Sequence, residues 1–129
     1  MIQLIRRAAW APILVLVVHR LVGMTPWRQP LDFWMHFSGG LAAAYLAWHA
    51  ATCFEYWIGT LTRTGRVLFS FSAACTIGVF WEFAELASDV LRGTHIQHDL
   101  HETMRDLIAD ACGAAITLTL MAWKSRTQR

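Results

Sequence analysis

The sequence is short of charge. Asp, Glu, Lys and Arg make up 16% of its 129 residues, against roughly a quarter in an ordinary soluble domain. That is too little polar surface to coat a water-soluble domain of this size. Cysteine is also scarce. Cys53, Cys75 and Cys112 are an odd set inside apolar stretches, and no pair has metal-ligand spacing. This excludes a disulfide framework and a zinc-thiolate site, and predicts free, buried thiols. No H-E-x-x-H, Gly-rich phosphate loop or other nucleotide motif is present. The net charge is only +2, and no basic stripe interleaves with aromatics, which excludes a nucleic-acid partner.

Apolar bulk is plentiful: 56% of residues are hydrophobic, with seven Trp and seven Phe. The bilayer is then the natural solvent. A spanning helix needs about 20 mostly apolar residues. Four segments approach this, at about 8–24, 33–58, 67–91 and 107–123. The first is the weakest, because His19 and Arg20 interrupt it. Arg6-Arg7 before an apolar run also resembles a signal peptide, but no small-residue cleavage site follows, so an uncleaved first helix is expected. Turn-rich breaks separate the segments. The expected fold is all-α: a single domain forming a four-transmembrane-helix bundle.

Basic residues set the orientation. Arg6, Arg7, Arg63, Arg66, Lys124, Arg126 and Arg129 fall on one side, and Arg20, Arg28, Arg92 and Arg105 on the other. Both termini are therefore expected in the cytoplasm of an inner-membrane, multi-pass protein. Trp10, Trp57 and Trp123 then mark the inner interface, and Trp27 and Trp34 the outer one. Gly39 with Ala43, Gly40 with Ala44, and Gly113 with Thr117 are small residues four apart, the spacing that lets membrane helices approach closely.

The acids fall mostly on the outward side. Glu82, Glu85 and Asp89 share one face of the third helix. At 1.5 Å per residue, Glu82 and Glu85 lie about 13 and 9 Å from its outer end. A carboxylate at such depth costs about 2.5–3.5 kcal/mol, so both are expected to face the bundle interior. Asp106 and Asp110 share a face of the fourth helix, and Asp32 and His36 a face of the second. His95, His98, Asp99, His101 and Glu102 occupy the third loop. Four acids in one low-dielectric pocket need compensation: a divalent metal ion, Arg20 and Arg92, or protons.

The same residues also support structural readings. Asp106 closes a T-x-x-D capping box with Thr103. Glu82 or Glu85 pairs with Arg20 or Arg92 between helices. His95, His98 and His101 are solvated loop residues, His49 is a hydrogen-bonded core residue, and His36 with Asp32 is a helix-end pair. The functional reading takes Glu82, Glu85, Asp106 and Asp110 as the core of a pocket, catalytic or metal-binding. His36 is then a ligand or base, and Arg20, Asp32, Arg92, His98 and His101 are binding residues. Bis-His haem is not expected, since the interiors of the third and fourth helices carry no His.

The ordered polar residues carry a resemblance. Asp32-x-x-x-His36-Phe37 resembles the D-x-x-x-H-F start of VanZ-like membrane proteins. WEFAE at 81–85 and ETMRDLIADACGA at 102–114 are similar to segments of the YjdF-like inner-membrane proteins. Two departures stand out. Asp89 and Asp110 are the nearest polar residues where VanZ-like sequences commonly carry Gln and Asn, and Glu102 stands where the YjdF-like pattern has Asp. The resemblance implies a bacterial envelope protein, with one branch tied to glycopeptide-antibiotic tolerance, and supplies no reaction. Three function classes stay open: a pocket for a polar lipid headgroup or lipid-linked phosphate, a structural or accessory subunit, and an ion- or proton-coupled carrier. The expected partners are membrane lipids, with a homo-oligomer or a partner membrane protein also open.

Overall fold

The computed structural model describes residues 5–97 and 99–127, and the elements in them are all helical. A π-helical turn, Ile5–Ala9, leads into α1 (Trp10–Gly23). Then follow α2 (Arg28–Cys53), the single turn α3 (Glu55–Ile58), α4 (Arg63–Arg92) and α5 (Leu100–Thr127).

Boundaries differ from the apolar runs because polar residues cap the helices. Pro30 falls in the first turn of α2, where no backbone donor is needed, so the helix starts at Arg28 and not near Phe33. Thr62 caps α4 by accepting from the Gly65 amide at 3.1 Å. Gly93 ends α4 in the left-handed region, at φ +65°, a backbone conformation that costs glycine little. Asp99 caps α5, its carboxylate accepting from the Glu102 amide at 2.8 Å. The expected Thr103–Asp106 capping box is therefore replaced: α5 is already helical there, and Asp106 is free to face inward.

α2 is the hub. It packs against α1, α4 and α5, and α4 packs against α5, whereas α1 packs along α2 without a close backbone approach to α4 or α5. The α2–α5 contact is the tightest. A Cβ at Gly40 would collide with the Asp110 backbone, and one at Gly113 with the Phe37 carbonyl. The Thr117 hydroxyl donates to the Leu41 carbonyl at 3.3 Å. The small-residue spacing thus does what its pattern predicts.

The distribution of polarity is inverted relative to a soluble bundle. The buried core is mostly alanine, joined by Trp48 and Leu118. Thirty-odd ångströms of α4 and α5 present Phe, Leu, Ile and Val outward, including Leu68, Phe80, Phe83, Ile116 and Leu120, along helices about 45 and 42 Å long at 1.5 Å per residue. So large an exposed apolar surface fits hydrocarbon and not water. All five belt tryptophans are exposed. The cysteines are free as expected, but Cys53 and Cys112 are exposed and Cys75 half-buried. Their apolar stretches supply the outer surface and not the core.

Two helices, Arg63–Arg92 and Leu100–Thr127, are long and apolar enough to cross a membrane. α1 has 14 residues, only about 21 Å of helix. α2 is long but rich in Ala and Gly, because neighbours enclose it on several sides.

Candidate functional site

α2, α4 and α5 bring four ionisable side chains into one buried cluster. His36 from α2, Glu82 from α4, and Asp106 and Asp110 from α5 are each 3–6% exposed. The imidazole stands between the acids. Its Nδ1 lies 3.4 Å from Asp110 Oδ2 and 3.8 Å from Glu82 Oε1. Glycine makes room for this: Gly39 and Gly78 both border the Asp110 carboxylate, at 3.3 and 2.6 Å from where their Cβ atoms would stand.

The cluster has two sides. On one, Asp32, His36 and Asp106 offer donor atoms within 4.8 Å of one another. Arg105 closes that side, 3.6 Å from Asp32 and 3.4 Å from Asp106, and also reaches Glu102 at 3.9 Å. On the other, His36, Glu82 and Glu85 offer a second set of three donors within the same 4.8 Å. No arginine or lysine pairs with Glu82 or Glu85 among the described residues. Glu85 accepts from the Trp81 indole at 2.8 Å. Glu82 Oε2 accepts from Gln97 at 2.8 Å.

Two buried atoms here have no hydrogen-bond partner among the described residues: Glu82 Oε1 and His36 Nε2. A buried carboxylate oxygen without a donor is costly.

Gln97 is held by a small scaffold that the sequence did not reveal. Asp89, at the end of α4, accepts from the Thr94 hydroxyl at 2.6 Å and from the Ile96 and Gln97 amides at 2.8 and 2.9 Å. It organises the loop, and the loop returns Gln97 to Glu82. Asp89 therefore leaves the acidic face it shares with Glu82 by spacing. No sequence signal marks Gln97 or Arg105 in advance, though Arg105 sits one residue from Asp106.

Other expected members do not join the cluster. Arg20 and Arg92 make no ion pair with Glu82 or Glu85. They line a groove between α1 and α4, which Glu85 also borders. The arginine that does reach the cluster is Arg105, which pairs with Asp32 and Asp106 and not with Glu82 or Glu85. His101 is exposed on the first turn of α5, and His95 is exposed in the loop. His98 lies outside the described residues. His49 is half-buried, its ring edge-on to Tyr45 at 4.6 Å.

A cavity of about 280 Å³ adjoins the cluster between α1, α2 and α4. His36 and Asp110 form its polar wall, and Val15, Leu46, Ala74 and Ile77 supply apolar lining.

Helices that turn apolar side chains outward and bury an acid–histidine cluster define a membrane protein with a polar interior site. The chain belongs to the DUF2238 family, described as predicted membrane proteins, whose model matches residues 4–127. No curated protein and no solved structure matches it.

Proposed function

We propose that this is a multi-pass inner-membrane protein in which α1, α2, α4 and α5 all cross the bilayer, with both termini cytoplasmic. Its outward-facing acid–histidine pocket binds a divalent cation and, with it, a polar lipid headgroup. The segments resembling VanZ-like and YjdF-like proteins contribute His36, Glu82, Glu85 and Asp110, and this supports reading those residues as the site of that kind of envelope protein.

One observation carries the proposal. Five carboxylates, Asp32, Glu82, Glu85, Asp106 and Asp110, surround His36, and among the described residues only His36 itself, beside Glu82 and Asp110, and Arg105, beside Asp32 and Asp106, stand within ion-pair distance of them. The side without an arginine is that of Glu82 and Glu85, where Glu82 Oε1 has no hydrogen-bond donor among the described residues. A divalent cation fits this donor set. Imidazole with carboxylates suits Mn²⁺ or Zn²⁺, and the buried oxygen gains the partner it lacks. When bound, such an ion supplies Lewis-acid polarisation and charge neutralisation. The chain's own residues position it: Gln97 and Trp81 orient the two glutamates, Arg105 neutralises the far side, and the glycines admit Asp110.

The structural reading, a polar lock that only ties the helices together, predicts no cation binding. Titration of Mn²⁺ into the purified protein separates the two. Saturable binding in the wild type, lost in Glu82→Gln and Asp110→Asn with the helical signal kept, supports the pocket. Equal Mn²⁺ binding in all three proteins would overturn it.

A further inference from the structure

The cation pocket alone does not suit a phosphate. Ionised, five carboxylates outnumber the three positive charges of a divalent ion and Arg105, so the pocket repels an anion. An anionic group needs its own cations, and the groove beside the pocket has them. Arg20 from α1, Arg28 from the start of α2 and Arg92 from the end of α4 line one groove of about 760 Å³. None of the three makes an ion pair with an acid among the described residues. Glu85 is the one acid on its wall.

The groove lies where a lipid can reach it. α1 makes no close backbone approach to α4, which leaves a slot between them, and Arg20 and Arg92 beside it are exposed. Edge-on packing of His19 against Trp81, at 5.0 Å between centroids, bridges the slot. That pair and Leu16 line both the arginine groove and the apolar cavity of about 280 Å³. A charged compartment and an apolar one thus share a wall, the layout that suits an amphiphile.

We infer that the α1–α4 groove binds the phosphate of a membrane amphiphile, a phosphate-headed lipid, through Arg20, Arg28 and Arg92, with its apolar chain following the slot past His19 and Trp81. Guanidinium forks match phosphate oxygens in geometry as well as charge. The inference rests on the headgroup reading above, names its ligand class and moves one part of it: the headgroup's phosphate sits in the groove, beside the cation pocket and not inside it. The groove uses Arg20 and Arg92 as the functional reading of the sequence has them, as partners of a ligand and not of the acids.

The test uses full-length protein in nanodiscs of equal phosphatidic acid and phosphatidylcholine, with lipids retained on release read by native mass spectrometry. Phosphatidic acid is expected to be retained in preference to phosphatidylcholine. Arg20→Gln, Arg28→Gln and Arg92→Gln should each reduce retention about tenfold, the loss of one charge-assisted contact. Lys124→Gln, at the far end of α5, should change nothing. Arg92→Lys keeps charge and bulk and guards against a folding defect: intermediate retention is expected. Unchanged retention in an Arg20→Gln/Arg92→Gln double variant would overturn the site. Displacement of the lipid by an equal concentration of inorganic phosphate would overturn the lipid source, and its failure to displace supports it. Mn²⁺ titration of the same variants separates the two readings. Lost lipid with normal Mn²⁺ binding places the effect in the groove, as expected. Mn²⁺ binding absent from every protein, with lipid retention intact, would sink the cation pocket and leave the groove standing.

Discussion

Gly78→Ala presses on the Asp110 carboxylate without removing a charge from the pocket. A Cβ there would lie 2.6 Å from Asp110 Oδ2 and 3.2 Å from its Cγ, where ordinary contact begins near 3.4 Å. The obstructing atom is the tip of a side chain, so Asp110 can retreat by about 0.8 Å at a strain of roughly 1 kcal/mol. Alanine returns about 0.8–1 kcal/mol of helix propensity. The two nearly cancel, and stability should stay within about 1 kcal/mol of the wild type. The pocket should not be so tolerant. Asp110 stands 3.4 Å from His36 Nδ1, and a shift of about 0.8 Å breaks the contact that orients this imidazole, a member of both donor sets. Cation affinity should fall tenfold or more. Gly40→Ala is the contrast. Its Cβ meets the Asp110 backbone, which cannot swing aside, so it should destabilise the bundle by about 3 kcal/mol or more. Reversible denaturation in mixed micelles reads the stabilities, and Mn²⁺ titration reads the affinity. Gly78→Ala binding Mn²⁺ as tightly as the wild type would refute Asp110's place in the pocket. Equal stability of the two variants would refute the packing argument.

Three further outcomes follow from the same geometry. Gln97→Ala removes the donor to Glu82 Oε2 and should weaken Mn²⁺ binding about tenfold by loosening that glutamate, as measured by calorimetry. Asp99→Ala removes the cap of α5 and should cost about 0.5–2 kcal/mol of stability, read by reversible denaturation. Glu55 and Arg66, 2.8 Å apart and 35% and 22% exposed, should show a double-mutant coupling below about 1 kcal/mol, because solvent screens the pair.

The interior acids were legible because charge in a membrane has few places to go. Helical spacing put Glu82, Asp106, Asp110 and His36 on inward faces, and they converge. The glycines were legible for the same reason: Gly40 and Gly113 sit where α2 and α5 nearly touch. Partner choice was not. Arg20 or Arg92 was expected opposite Glu82 or Glu85, yet α1 stands away from α4, and the arginine that reaches the cluster is Arg105 of α5, at Asp32 and Asp106. Gln97 comes to Glu82 only because Asp89 folds a loop back, a tertiary event with no local pattern. The cap of α5 was misplaced by four residues, since both Asp99 and Thr103 are good capping types and only the loop's path decides between them. The cysteines were placed inside because apolar stretches bury their residues in water, whereas here they face outward.

Pulsed electron paramagnetic resonance of the Mn²⁺-loaded protein tests the pocket most directly. A cation held by His36 gives ¹⁴N modulation from a directly coordinated imidazole, abolished in His36→Asn and retained in His101→Asn. Mn²⁺ that binds without nitrogen modulation, or whose modulation survives in His36→Asn, would contradict it.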